Sequence, residues 1–572
     1  MPVRYRRILV VFMLFLLPPA GAAMADATSD IVAARADVER GDWKAALAPL
    51  ERLTAQSPEN GEFRIDLARA HYYAGDFAAS EADYRRAFEW KAVDPAIAAY
   101  GAAKCDARLS RRAEMLKWLG VSVSLGLRRL EYARTDEDFA SYRNDPDFRR
   151  LLGLIDAKSL SRDDGWRYDI RFLAKWIKAR AYHPFKTAAA DRYVSGALYS
   201  ESEFDGQVQS LLAAVPKLSD REIELALFKL VASLGDGHSA VVGSRTRIEF
   251  ATTFPLGFYQ FDDGLYVISA APKYADLVGA RILAIDGTET TEVVKKLDPY
   301  IAHDNAEWLK TFEPQFLRHV PFLQALGIAK SDDGADFMVT MRNGSKRTVH
   351  VDADASAPDI WNMLPKPDGW AWIADASAAD FQKDNGKAWW WRWEPDSGIL
   401  YVQYNKVADT ADETLAAFAG ELSQAIAKYP VDKLVIDMRN NNGGDTYLNR
   451  PLLGAVAASK VNRPGHLYVI VGRRTFSAAM NAVSDFGRFT DAIFVGEPTG
   501  GKANAPGDEN PFSLPYSGIL VNLSDRYWQG GWPDDFADFR APDIAVPNTF
   551  ADYAAGRDAA MQAIGATPAL SP

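Results

Sequence analysis

From residue 398 onward the chain alternates between two patterns. Short apolar runs, "GILYVQYN", "KLVIDMR", "LYVIVG" and "AIFVGEP", are separated by helical stretches near 410–428, near 446–459 and from 477. The runs read as strands and the stretches between them as crossover helices. Strand and helix in strict succession leave few topologies open. The one they favour is an α/β layer of parallel strands with helices packed on its faces.

The rest of the chain must be other domains, because 572 residues exceed one ordinary core. Residues 28–160 have a helical pattern. "GDWKAALAPL" begins at Gly41 and "GDFAASEADY" at Gly75, an offset of 34 residues, which is the period of tetratricopeptide helix pairs. Ala45 and Ala46 align with Ala79 and Ser80, all small enough for close helix contact. A third copy near Ser110 is degenerate. Residues 162–242 form a second helical block, in which Ser219-Asp220 is a start signal and Leu234-Gly235 a stop. There "DGHSAVV" turns into a strand. Residues 250–355 alternate like strands, as in "FPLGFYQF", "GLYVISAA", "ARILAIDG" and "DFMVTMRNG".

The first 25 residues read as a secretory signal peptide. Arg4, Arg6 and Arg7 precede an apolar run from Ile8 to Leu17, and Ala23-Met24-Ala25 supplies the small-x-small cleavage pattern. The run is too short to span a bilayer as a helix. A secreted or periplasmic protein with no stable membrane anchor after cleavage is expected. The formal charge is −11 and no basic run occurs, so nucleic acid and anionic membrane surfaces are poor partners. Cys105 is the single cysteine. It has no disulfide partner within the chain, and one thiol cannot build a zinc-thiolate site.

Four short stretches carry chemistry. "RTFSAAM" puts Ser477 at the carboxyl end of a strand and the start of a helix. Free N–H groups and the positive end of the helix dipole at that point favour a developing oxyanion, although serine is also a preferred helix cap. "LVIDMRNNNGGD" ends a strand in Gly443 and Gly444, whose backbone can approach a ligand. The N–H of either, with that of Ala478, is a candidate oxyanion hole. "VASLGDGH" places His238 in a turn between a helix and a strand, and His303 is the second-choice histidine. "VGEPTGGK" ends a strand at Lys502, 25 residues after Ser477. Lysine is ordinarily a solvated charge, but one buried against a serine loses its proton more readily and becomes a base.

These four motifs together, in this order and near this spacing, resemble the C-terminal-processing (tail-specific) serine peptidases, a family that includes the tricorn protease core. The resemblance covers residues 165 to 560. It implies a helical lead-in at 162–242, a PDZ-like β-rich domain at 245–355 and a crotonase/ClpP-like α/β catalytic core at 356–565, after the repeat domain at 28–160. It also implies Ser477 as nucleophile and Gly443 near the oxyanion-hole glycine. Members of the Ser-Lys type share the Ser-to-Lys interval, whereas tricorn-like members use a histidine from the helix–strand turn. Both His238 and Lys502 are present here, so both stand as candidate bases. Histidine is favoured because an imidazole needs little tuning to work near neutral pH. Asp508 and Asp535 are candidates to orient it, and Asp236 is expected to point away.

Two classes of function follow. The first is a secreted or periplasmic serine peptidase that cleaves a peptide or protein substrate through an acyl-enzyme. It would need no metal or organic cofactor, and its helical repeats would hold a protein partner or the substrate. The second is a catalytically inactive, peptidase-like binding or scaffold protein.

Overall fold

The computed structural model describes residues 20–567, apart from 91–93, 126, 128–129, 155–158, 187–195, 244–251, 358–366, 375–377 and 385. The basic start and apolar run of the expected signal peptide lie outside the described residues. The chain divides into two compact units, residues 1–155 and 156–572.

The first unit is all helix. Trp43–Gln56 and Gly61–Ala74 form one antiparallel pair, Phe77–Glu89 and Pro95–Arg108 a second, and Arg112–Ser124 follows. The 34-residue repeat has a local cause. Gly41 and Gly75 both take the left-handed conformation (φ 72° and 86°). Asp42 and Asp76 then cap the next helix through the N–H groups of Ala45 and Ala79, at 3.1 and 3.0 Å. Each cap contributes about 1 kcal/mol. The third copy keeps the backbone and loses the chemistry. Ser110 stands at φ 58°, and Arg111 occupies the cap position without a side-chain bond. Ala46 and Ser80, matched by the repeat, are both fully buried. Cys105 is also fully buried and donates to Ser80 Oγ at 3.2 Å. Burial pushes its thiol up to about 12.

The second unit opens with the helices Arg162–Arg180, Glu201–Ala214 and Asp220–Ala232. Ser219 and Glu222 form a reciprocal capping box at the start of the third. An antiparallel sheet follows in the order Leu256–Phe261, Gly264–Ala270, Arg281–Ile285, Gly334–Thr340, Lys346–Asp352. A two-residue strand, Ala371–Trp372, pairs with Gly264–Ala270, so this sheet draws on residues beyond 355. The helix Ala306–Phe316 belongs to the same segment.

The predicted parallel layer is a six-stranded sheet. Its order is Ile544–Ala545, Ile493–Gly496, Leu467–Val471, Lys433–Asp437, Ile399–Tyr404, Trp389–Glu394. All neighbours are parallel except the last pair. The three central strands are buried at every position, as expected for a sheet covered on both faces. Leu400, Val402, Leu434, Ile436 and Val469 pack on one side with the crossover helices. Ile399, Tyr401, Val435 and Ile470 pack on the other with the helix Ala559–Ala566. Lys433 holds that helix by donating to the carbonyls of Ile564 and Thr567, at 2.8 and 2.7 Å.

A third sheet joins Ala240–Gly243 to the antiparallel hairpin Asn504–Ser513 and Leu520–Gln529. The sequence patterning gives no sign of this hairpin. Pro506, Gly507 and Pro511 interrupt its first strand, which is tolerated because that strand lies at the sheet edge.

Candidate active site

Ser477 follows the strand Leu467–Val471 and opens the helix Ala478–Phe489. Its backbone sits at φ 52°, ψ −127°, a combination that costs a non-glycine residue roughly 1–3 kcal/mol. It occupies the N-cap position, yet its side chain makes no cap hydrogen bond. Capping therefore does not account for a serine here. The turn before it is tied to the neighbouring strand. Thr475 Oγ1 donates to the Met438 carbonyl at 3.0 Å, and Phe476 N–H donates to the Asn441 carbonyl at 3.2 Å. These contacts hold Ser477 in its strained conformation.

His238 is brought to the serine from another part of the fold. Its Nε2 lies 3.0 Å from Ser477 Oγ. Its ring stacks on Phe476 at 4.5 Å, and Phe476 stacks on Trp308 of the helix Ala306–Phe316 at 3.9 Å. The turn beneath it is clamped by Asp236, which accepts the N–H groups of His238 and Ser239 and the hydroxyl of Ser524, at 2.9, 2.8 and 2.7 Å. Asp236 thus faces the backbone and not the imidazole.

The glycine loop closes the third side. Gly443 has φ 110°, and a Cβ there would lie 2.7 Å from Ser477 Cβ and 2.9 Å from Ala478 N, so only glycine fits. Its N–H donates to Asn441 Oδ1 at 2.9 Å. Asn441 is fully buried and anchored in turn to the Tyr404 carbonyl at 2.9 Å. Gly444 and Ala478 line the cavity in front of Ser477. Among the described residues their N–H groups donate to no acceptor. Of the two glycines singled out from sequence, Gly444 is the one with a spare donor beside the serine.

That cavity is about 330 Å³ and is also lined by His238, Lys502, Asp304, Tyr447 and Trp528. Lys502 shares it but pairs with Asp538, at 3.0 Å, while the histidine holds the serine hydroxyl. Asp508 lines the cavity and pairs with Arg526 at 3.4 Å. Asp535 lies against a separate cavity beside Trp532. His303 donates Nδ1–H to the carbonyl of Ile301 at 2.7 Å, within its own turn. Asp304, its neighbour, was not singled out from sequence. It is nearly buried and accepts the Gly237 N–H at 2.7 Å. Burial drives its pKa upward, against the charge of His238. Among the described residues no cluster of His, Cys, Asp or Glu is arranged to hold a metal ion.

A hydroxyl in hydrogen-bond contact with an imidazole, beside two unspent N–H groups, one at a helix start and one in the glycine loop, has the chemistry for acyl transfer. In such an arrangement an imidazole can take the proton as a serine oxygen attacks a carbonyl, and free N–H groups can receive the oxyanion.

The tetratricopeptide-repeat family profile matches residues 37–103, so the first unit contains tetratricopeptide-like repeats. No curated protein matches the chain in sequence. Several solved structures are similar to it. Mature CPAF complexed with lactacystin is 13% identical with a TM-score of 0.49, over 70% of this chain and 97% of that one. The photosystem II D1 C-terminal processing protease is 16% identical with a TM-score of 0.33, over 70% of this chain and 99% of that one. The tricorn protease is 14% identical with a TM-score of 0.33, over 71% of this chain and 37% of that one. Among the described residues no helix is long and apolar enough to cross a membrane.

Proposed function

We propose that the chain is a serine peptidase that cleaves peptide bonds through an acyl-enzyme on Ser477, with His238 as general base. The observation that carries this reading is the 3.0 Å contact between His238 Nε2 and Ser477 Oγ, made by a serine in a strained conformation. Strain of this kind persists only where the surroundings impose it, and it clusters at active sites. The N–H groups of Gly444 and Ala478 form the oxyanion hole, and Gly443 supplies the close approach that lets the loop reach them. Lys502 is not the base in this reading, because its ammonium is engaged by Asp538.

The four motifs that resemble the tail-specific peptidases favour peptide over other acyl substrates. The same reading takes the antiparallel sheet of residues 256–352 as a PDZ-like domain and the parallel sheet as a crotonase/ClpP-like core. It takes the repeats as the holder of a protein partner, and the basic, apolar N-terminus as the leader of a secreted or periplasmic protein. A binding protein without turnover has no use for a strained serine held against an imidazole, which weighs against the scaffold alternative.

The test is a fluorophosphonate probe on the purified protein. Covalent labelling that is lost in Ser477→Ala supports the assignment. A folded wild-type protein that does not label overturns it.

A further inference from the structure

His238 has an unsolved problem as a base. Its Nε2 faces Ser477, but its Nδ1 is buried and has no hydrogen-bond partner among the described residues. In a serine–histidine pair a third group normally fixes the ring and faces its positive charge. The nearest carboxylate in sequence, Asp236, spends its Oδ1 on two backbone N–H groups and the Ser524 hydroxyl and makes no hydrogen bond to the ring.

We propose that Asp304, carried by the segment that contains the antiparallel sheet, is the positioning carboxylate of His238. This rests on the serine-peptidase reading above. Asp304 is 8% exposed and lines the same cavity as His238 and Ser477. It accepts the N–H of Gly237, the residue before His238, at 2.7 Å. Among the described residues that is the one hydrogen bond its carboxylate accepts. Structural work at this point is done by its neighbour. Asn305 caps the helix Ala306–Phe316 through the N–H groups of Glu307 and Trp308, both at 3.0 Å. Asn305 also donates to the carbonyls of Thr499 and Asp538, at 3.1 and 2.7 Å. A carboxylate buried next to an asparagine that already holds the segment needs a different reason to be there.

The electrostatics supply that reason. Burial pushes the Asp304 pKa up, and the largest opposing influence is the charge of His238, followed by the Gly237 N–H. Asp236 acts in the same direction as burial, and Lys502 opposes it. The other titratable groups around the cavity are Asp445, Tyr447, Asp508 and Arg526. Lys502 and Arg526 have carboxylates of their own in Asp538 and Asp508. Asp304 makes no ion pair among the described residues, and the charge of His238 is the largest one opposing its burial. As Ser477 Oγ bonds to the substrate carbonyl carbon, its proton passes to His238 Nε2 and the carbonyl π pair moves to oxygen. The positive charge then formed on the ring is stabilised by Asp304 more than the neutral ring is, so the effect acts on the transition state.

The experiment measures kcat, KM and the pH profile of kcat/KM on a small activated ester, for wild type, Asp304→Asn and Asp304→Glu. The Asn variant is expected to lose on the order of 10- to 100-fold in kcat with KM nearly unchanged. Its ascending limb should move to lower pH, because the imidazolium has lost its counter-charge. The Glu variant keeps the charge, so its limb should stay near the wild-type position while kcat falls by less. Proton NMR titration of His238 in a Ser477→Ala background reads the same coupling without turnover, and its midpoint should move to lower pH in the Asn variant. A folded Asn variant, still labelled by fluorophosphonate, whose limb and midpoint stay in place would overturn the role of Asp304 and leave the serine assignment standing. If the Asn variant does not fold, a Glu variant whose titration midpoint falls would overturn it. A wild-type protein that does not label sinks the parent reading instead.

Discussion

Ser477 Oγ and His238 Nε2 stand 3.0 Å apart, although 239 positions separate them in sequence. One is delivered by the end of a parallel strand, the other by the turn into the strand Ala240–Gly243 of a different sheet. The contact exists only if both sheets are formed, the second of which includes the hairpin Asn504–Ser513 and Leu520–Gln529. Replacing Ser477 by Ala should remove hydrolysis while the fold is kept, with a fall on the order of 10⁴ to 10⁶ in kcat. Steady-state kinetics beside a circular dichroism spectrum checks both halves.

The strain at Ser477 has a thermodynamic signature. Glycine reaches φ 52°, ψ −127° without a Cβ penalty, whereas alanine does not. Ser477→Gly should therefore be more stable than Ser477→Ala by about 1 kcal/mol, despite the entropy that glycine loses on folding. Chemical denaturation of the two inactive variants measures the difference. Equal stabilities would mean that the turn relaxes at no cost.

The choice of base is read from two single variants. His238→Ala should lose nearly as much as Ser477→Ala, because members of one catalytic unit are not additive. Lys502→Ala should lose less than about tenfold, since it breaks a partly exposed pair with Asp538. A dead Lys502→Ala enzyme beside an active His238→Ala enzyme would reverse the assignment.

Much of the candidate site was legible in sequence because its residues sit at element boundaries. Ser477, His238 and Gly444 each mark the change from one periodicity to another. The repeat was legible because Asp42 and Asp76 cap helices, a local interaction that recurs with the chain. Asp304 was not legible. It lies in "IAHDN" with no periodic context, and the group it serves, Gly237, is 67 positions away. The hairpin 504–529 was hidden because prolines and a glycine occupy an edge strand, where the ladder does not require their N–H groups. Whether Gly443 or Gly444 keeps a free donor depends on the Asn441 side chain, which spacing alone does not reveal.

Gly443→Ala tests the loop without touching a reactive group. The new methyl would meet Ser477 Cβ at 2.7 Å and would sit on a backbone at φ 110°. Both effects push the loop away from the serine. Activity should fall at least 10²-fold if the loop carries the proposed oxyanion donor, because displacing such a donor costs that much. Stability should fall by roughly 1–3 kcal/mol. Fluorophosphonate labelling rate and thermal unfolding report the two effects separately.

Stability should also depend on pH through the segment that carries Asp304. Glu313 lies in the helix Ala306–Phe316 and is nearly buried. Burial, and then the neighbouring Asp298 carboxylate, push its pKa from 4.5 up to about 8. In the unfolded chain the group ionises near its ordinary value. Between about pH 4.5 and 8 the native state therefore binds more protons than the unfolded state, and stability falls as pH rises. The contribution is complete below the lower value and is lost through the upper one. Asp304 and Asp437 are displaced in the same direction by burial, so they act on the slope in the same sense. Thermal unfolding followed from pH 5 to 9 should show a declining Tm for the second unit. Glu313→Gln, which stays neutral throughout, should flatten the decline above about pH 6. An unchanged slope in that variant would mean that Glu313 ionises in the folded protein as it does in the unfolded chain. Because Trp308 on the same helix supports Phe476 and through it His238, loosening of this helix at high pH should reach activity as well. The Gln variant is then expected to hold its kcat further into the alkaline range than the wild type does.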